Sequence, residues 1–191
     1  MHGVIFSALL VGIAKPYVVF SSGLFSTMPS RIYSTLKDKL SKNLTLVESN
    51  SILWRKDFEH LCDKYEMDKL PLIAHSSIDG SILSSHRLQK AVLIDPATIP
   101  SISVNGLVST QIKARAPVKV ISSRLYGEFV IPPFQPSFED AEYITYDSSG
   151  HGDLLDPPWA RISSWAGIPS EPETRPDFRN FVSDECLNFI L

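Results

Sequence analysis

Pro71-Leu72-Ile73-Ala74-His75-Ser76-Ser77-Ile78-Asp79-Gly80 is a short apolar run that ends abruptly in His-Ser, with small and turn-forming residues behind it. It reads as a buried strand, a sharp turn holding a serine, and then a helix, the pattern of a nucleophile elbow. Two other strand-like runs end in the partners such a serine needs. Ala91-Val92-Leu93-Ile94 runs into Asp95, and Glu142-Tyr143-Ile144-Thr145-Tyr146 leads through a short loop to His151. A serine hydroxyl is a weak nucleophile until a base takes its proton. A histidine does this, and a carboxylate fixes the tautomer of that histidine. The expected catalytic set is Ser76, Asp95 and His151, in that chain order.

Ser76 is the better nucleophile of the adjacent pair. The residue two before it is the small Ala74, whereas Ser77 would have His75 at that place. The backbone N–H of Ser77 is then the first expected oxyanion donor. The second should come from the loop after the first main strand, Ser21-Ser22-Gly23-Leu24-Phe25-Ser26, at Leu24 or Phe25, with Gly23 allowing close backbone approach. The elbow normally takes a small residue two positions after the nucleophile. Here that residue is Ile78, which is costly if the backbone is unusual there. Ile78→Gly is therefore expected to let the elbow adopt its strained turn and raise the activity of an impaired enzyme.

Working outward, six short apolar runs read as buried strands: Tyr17 to Ser21, Leu44 to Glu48, Leu70 to Ala74, Ala91 to Asp95, Val118 to Ser122 and Glu142 to Tyr146. Several are almost continuously apolar, as strands covered on both faces must be. Helical stripes lie between the early ones. Ile32, Tyr33, Leu36 and Leu40 form one, and Trp54, Phe58, Leu61, Cys62 and Tyr65 form a better one. Ser77 to Leu88 is a weaker third. A last helix is expected from near Pro176, with Phe178, Phe181, Val182, Cys186, Phe189 and Ile190 on one face. Alternating strands and helices predict an α/β fold, a mostly parallel sheet of about six strands with helices on both faces, as one domain over the chain. The stretches after Asp95, from Leu125 to Asp140 and from Pro157 to Pro172 read as irregular. Asp95, the Ser76 turn and the His151 loop all fall at strand carboxyl ends, where open α/β sheets bind ligands.

The chain has 191 residues, 43% hydrophobic and 20% charged, with a net charge of −3 and no basic run, which gives no reason to expect nucleic acid. Cys62 and Cys186 sit at apolar helix positions and are expected to be buried free thiols, not a bridge. The apolar segment Met1 to Ala14 lacks a basic n-region and is too short to span a bilayer. It is expected to be a strand or packed segment and not a signal, so a cytoplasmic or organellar setting is favoured over secretion. The histidines His2, His60, His75, His86 and His151 show no close-spaced pair, and no Gly-rich loop precedes a helix, so neither metal nor cofactor is expected. Asp153 and Asp156 near His151 could bind a cation, but they are expected to cap the turn after it. Trp159, Trp165, Phe129, Phe134 and Phe138 either line an apolar pocket or seal long loops onto the sheet.

These residues resemble the α/β-hydrolase superfamily, and within it the chlorophyllase-like small serine esterases. Lys15-Pro16-Tyr17-Val18-Val19-Phe20-Ser21-Ser22-Gly23 resembles the strand and oxyanion loop, although a His usually stands where Ser22 does. Ala74-His75-Ser76 resembles the Gly-His-Ser of the elbow, and Leu93-Ile94-Asp95-Pro96 the strand and acid. Pro117-Val118-Lys119-Val120-Ile121 resembles the following strand. Gly150-His151-Gly152-Asp153-Leu154-Leu155-Asp156 is similar to the chlorophyllase-like histidine segment. The likeness covers about residues 15 to 191. It implies a minimal α/β-hydrolase fold and hydrolysis of a small apolar ester through an acyl-enzyme. The alternative is a catalytically decayed hydrolase that serves as a binding or structural subunit of a larger protein assembly.

Overall fold

Eight strands and four helices appear in the computed structural model, which describes residues 14–23, 30–49, 52–99, 111–125, 137–147, 149–157, 159–168, 170 and 175–191. The strands are β1 (Tyr17–Ser21), β2 (Thr45–Ser49), β3 (Leu70–Asp79), β4 (Leu88–Ile99), β5 (Gln111–Lys113), β6 (Val118–Ser123), β7 (Ser137–Glu139) and β8 (Glu142–Tyr146). The helices are α1 (Ser34–Leu40), α2 (Arg55–Lys64), α3 (Trp159–Trp165) and α4 (Arg175–Ile190). Six strands form one sheet in the order β2-β1-β3-β4-β6-β8, every pairing parallel, and β5 and β7 pair separately. The expected α/β architecture is therefore present. The expected segment at residues 1–13 lies outside the described residues.

Parallel strands covered on both faces need apolar residues at every position, and β3 is buried without a break from Leu70 to Ile78. Alternate residues feed two cores. Val18, Phe20, Ile73, Val92, Ile94 and Ile121 meet Leu36 and Leu40 of α1 and Phe178, Val182, Cys186 and Ile190 of α4. On the other face Val19, Leu72, Ala74, Leu93 and Val120 meet Phe58 and Cys62 of α2, Leu83, and Phe138 of β7. Each large apolar side chain removed from water stabilises the fold by about 1.5–3 kcal/mol. Cys62 and Cys186 are free and buried, one in each core. Helix α2 stops where Glu66 takes a left-handed φ of 54° and Met67 N–H bonds back to Cys62 O, at 2.9 Å.

The strand order reverses between β1 and β3, with β2 on one side of β1 and β3 on the other. Such a switch opens a crevice beyond the strand carboxyl ends. Ser21, Ser22 and Gly23 end one wall of it, and Ser76 lies on the other.

The helix expected over Ser77 to Leu88 is absent. β3 runs on through Asp79, a 3-10 turn covers Gly80–Ser84, and β4 begins at Leu88. Ser77 and Ile78 instead pair with Ala97 and Thr98 of β4, a setting that suits a β-branched residue. Asp79 then turns the chain by accepting from Ser81 N at 2.9 Å and Ser81 Oγ at 2.8 Å, and Ser84 Oγ donates to Ser81 O. Serine and aspartate side chains that bond the backbone locally compete with a helix. Three further elements were not expected. β5 and β7 have only three residues each, and α3 exposes Ile162 and Trp165 and turns only Ala160 and part of Trp159 to the core, too short a stripe to read from sequence.

Candidate active site

The site begins with a shared bend in two neighbouring strands. His75 pairs with Ile94, and the next pair is Ser77 with Ala97, so Ser76 alone faces Asp95 and Pro96. This is a bulge with one residue more on β4. At its centre Ser76 has φ 65° and Asp95 φ 42°, both left-handed. An L-residue there is strained by about 1–2 kcal/mol. The unusual backbone falls on Ser76 and not on Ile78, which is extended and fully buried in the core beside α2.

Gly23 presses on the bend. Its φ is 58°, and a Cβ on it would lie 2.5 Å from Ser77 N and 2.7 Å from His75 O. No side chain fits, and the close backbone approach expected of Gly23 is present. Leu24 and Phe25 lie outside the described residues.

Asp95 is fully buried and tightly held. One oxygen accepts from Ser123 N at 2.6 Å and the other from Ser123 Oγ at 2.7 Å, both at the end of β6. The His151 ring comes to it from across the sheet end, with Nδ1 3.3 Å from Asp95 Oδ2. Ser76 is 4% exposed, and no hydrogen bond joins its Oγ to the His151 ring. The fold thus brings Asp95 and His151 into contact and sets Ser76 beside Asp95 on the adjoining strand.

His151 opens a 3-10 turn, His151–Leu154, secured by its own acidic run. Asp153 accepts from Gly150 N at 2.7 Å and from Ser170 Oγ at 2.7 Å. Asp156 accepts from Ser34 Oγ at 2.9 Å and Thr35 N at 2.8 Å, which ties the turn to the start of α1. Arg179 of α4 donates to Leu155 O at 2.9 Å. Gly152 lets the turn lie on α3, since a Cβ there would meet Ser163 Oγ at 2.5 Å. Both aspartates hold the loop, as expected.

Sequence reasoning missed His75 and Tyr33 as members of this site. The His75 ring packs on the His151 ring, with centroids 4.5 Å apart and planes 30° apart. Its Nδ1 is 2.5 Å from Tyr33 Oη. Burial holds the His75 pKa well below the ordinary imidazole value, a charge on His151 pushes the same way, and the His151 backbone pulls against both. Burial also raises the Tyr33 phenol. The contact therefore joins a protonated phenol to a neutral imidazole. The only signal in the sequence was that His75 occupies a buried strand position next to a candidate nucleophile.

His75, Asp95 and His151 place their ligating atoms within 4.8 Å of one another, although no two are close in sequence. Imidazole lone pairs lie in the ring plane. Two nearly parallel rings therefore aim them alongside each other and not at one point, and both Asp95 oxygens already accept from Ser123. The arrangement favours proton transfer over chelation. The described aromatic residues of this set do not share a pocket. Phe138 is in the core beside α2, Trp159 packs on the opposite core, Trp165 is 84% exposed, and Phe129 and Phe134 lie outside the described residues. Among the described residues no helix is long and apolar enough to cross a membrane.

The fold and site define an open, all-parallel α/β sheet with a buried Asp-His pair at its carboxyl edge. No family model and no curated protein matches the chain. Solved structures similar to it include the esterase domain of a Rhodothermus marinus protein, with TM-score 0.45 and 11% identity, covering 81% of this chain and 88% of that one. A protein described as a YdeN-like hydrolase from Pectobacterium atrosepticum gives TM-score 0.44 and 8% identity, covering 80% and 90%.

Proposed function

We propose that this chain is a serine carboxylic-ester hydrolase of the chlorophyllase-like kind, acting on a small apolar ester. Ser76 Oγ attacks the ester carbonyl while His151 takes its proton, and Asp95 orients the imidazole and stabilises the imidazolium. Ser77 N–H and a backbone N–H at Leu24 or Phe25 donate to the oxyanion. The tetrahedral intermediate expels the alcohol, which leaves with the proton from His151. Water then enters by the same route and releases the acid and Ser76. The observation that carries this reading is the buried His151–Asp95 contact, set beside the left-handed Ser76 at the strand ends.

A second reading is a decayed hydrolase kept as a binding subunit. It is favoured by the strand that continues past Ser76 where the elbow would place a helix. Fluorophosphonate labelling separates the two. Under the first reading Ser76 is labelled and short-chain p-nitrophenyl esters are hydrolysed. Ser76→Ala then abolishes labelling and lowers turnover on the order of a thousandfold or more. An unlabelled native chain that binds no phosphonate supports the second.

A further inference from the structure

One hydrogen bond to Asp95 does not fix the plane of an imidazole. The last torsion of a histidine side chain is broad, and a 3.3 Å contact at Nδ1 aligns one ring atom without by itself setting the ring plane. The face of the His151 ring is met by His75, at 4.5 Å between centroids. His75 is itself held from behind by Tyr33, edge-on to its ring and hydrogen-bonded to its Nδ1. Tyr33 in turn is wedged against Phe20.

These contacts close a circuit. The His151 turn leads to Asp156, which accepts from Ser34 and Thr35. Those two residues directly follow Tyr33. Tyr33 bonds His75, and His75 lies on His151. The segment that anchors the histidine turn from outside is thus the segment that clamps the ring beneath it. A phenylalanine at position 75 could supply the flat face but would leave the buried Tyr33 hydroxyl without its partner, which is costly.

We propose that His75 is a positioning residue: clamped by Tyr33, its ring is the support that sets the plane of the His151 imidazole against Asp95. For catalysis this rests on the hydrolase reading, but the geometry it asserts does not. His75→Ala removes the support. It is expected to lower kcat for a p-nitrophenyl ester by about tenfold or more while KM stays nearly unchanged, since small misplacements of a reacting group cost rate and not ground-state binding. Tyr33→Phe should act in the same direction but less. His75→Phe combined with Tyr33→Phe restores a flat, fully satisfied pair and should recover most of the lost kcat.

Nitrogen-15 NMR of the His151 ring supplies a readout that needs no turnover. The native chain should show one tautomer with the proton on Nδ1, and His75→Ala a mixture of both. If His75→Ala unfolds, the double phenylalanine variant against Tyr33→Phe alone makes the same comparison. The proposal is overturned if the His151 resonances are unchanged in His75→Ala, or if kcat falls only by the fraction of unfolded protein. An unlabelled, inactive native chain sinks the hydrolase reading, and the NMR comparison then still decides the role of His75.

Discussion

The two halves of the site are held in place by different means. At the β3–β4 bend the backbone does the work. Ser76 and Asp95 are fixed by a parallel ladder that resumes after the bulge, by left-handed torsions and by the pressure of Gly23. At the His151 turn no ladder is available, and side chains do it instead, through Asp153, Asp156 and Arg179. The first half stores strain inside a rigid sheet, while the second is strung between two helices. A bend of the first kind tolerates changes in its own side chains so long as the core beneath is full. A turn of the second kind depends on every staple.

The largest effect that would break this contrast is at Ile78. Because Ile78 is extended and fully buried, Ile78→Gly should destabilise by about 3 kcal/mol or more, through the cavity and the added chain freedom. It should bring no gain in esterase turnover, contrary to the expectation from sequence. Denaturant unfolding beside an ester assay checks both. Next comes Asp156→Ala. Loss of the two bonds to the start of α1 and of the carboxylate near the buried Arg179 should cost about 2–3 kcal/mol. Labelling of Ser76 should slow as well, because the turn loses its anchor. Unchanged labelling would show that the turn stands without its staple.

Acid sharpens the comparison further. Burial depresses the His75 pKa in the folded state, so below the unfolded value of about 6.5 the unfolded chain binds the extra proton. Stability should therefore fall as pH drops from about 6.5 towards the folded value, by up to about 1.4 kcal/mol per unit. His151, Tyr33 and Asp95 are the titratable neighbours that share this region. His75→Phe should flatten the acid limb in thermal melts taken between pH 7 and 5, whereas an equally steep limb in that variant assigns the effect elsewhere. The smallest effect concerns strain itself. Ser76→Gly should melt higher than Ser76→Ala, by a difference of up to about 1 kcal/mol, since glycine alone is at ease at φ 65°. The reverse order would mean that the bend is unstrained.

Much of this was written in local pattern. β1 and β8 fall on their expected residues, and the other four sheet strands differ from expectation only in where they begin or end. Continuous apolar runs such as Leu70 to Ala74 admit few other readings. The stripe through Phe58 and Cys62 marked α2, and the stripe from Phe178 to Ile190 marked α4. The stretch after Ser76 was misread because its periodicity suits a helix about as well as a strand. The choice was made by pairing with Ala97 and Thr98, residues far along the chain. The stacking of His75 on His151 was invisible for a similar reason. It depends on both lying on one face at one end of the sheet, and single-sequence spacing carries no such distance. Asp153 and Asp156 were legible as caps, but not that Asp156 would cap a helix 122 residues earlier.

The contacts that tie the His151 turn to the rest of the site span long stretches of chain. Tyr33 to His75 spans 42 positions, Asp95 to His151 spans 56, and Ser34 to Asp156 spans 122. The entropy of closing a loop rises with its length, and contacts between distant parts of a chain form slowly. A nascent chain that ends after β6 contains Ser76, Asp95 and Ser123 but not yet His151. On the hydrolase reading proposed above, Ser76 therefore gains its base only when the last-made part of the chain closes the histidine turn onto the sheet.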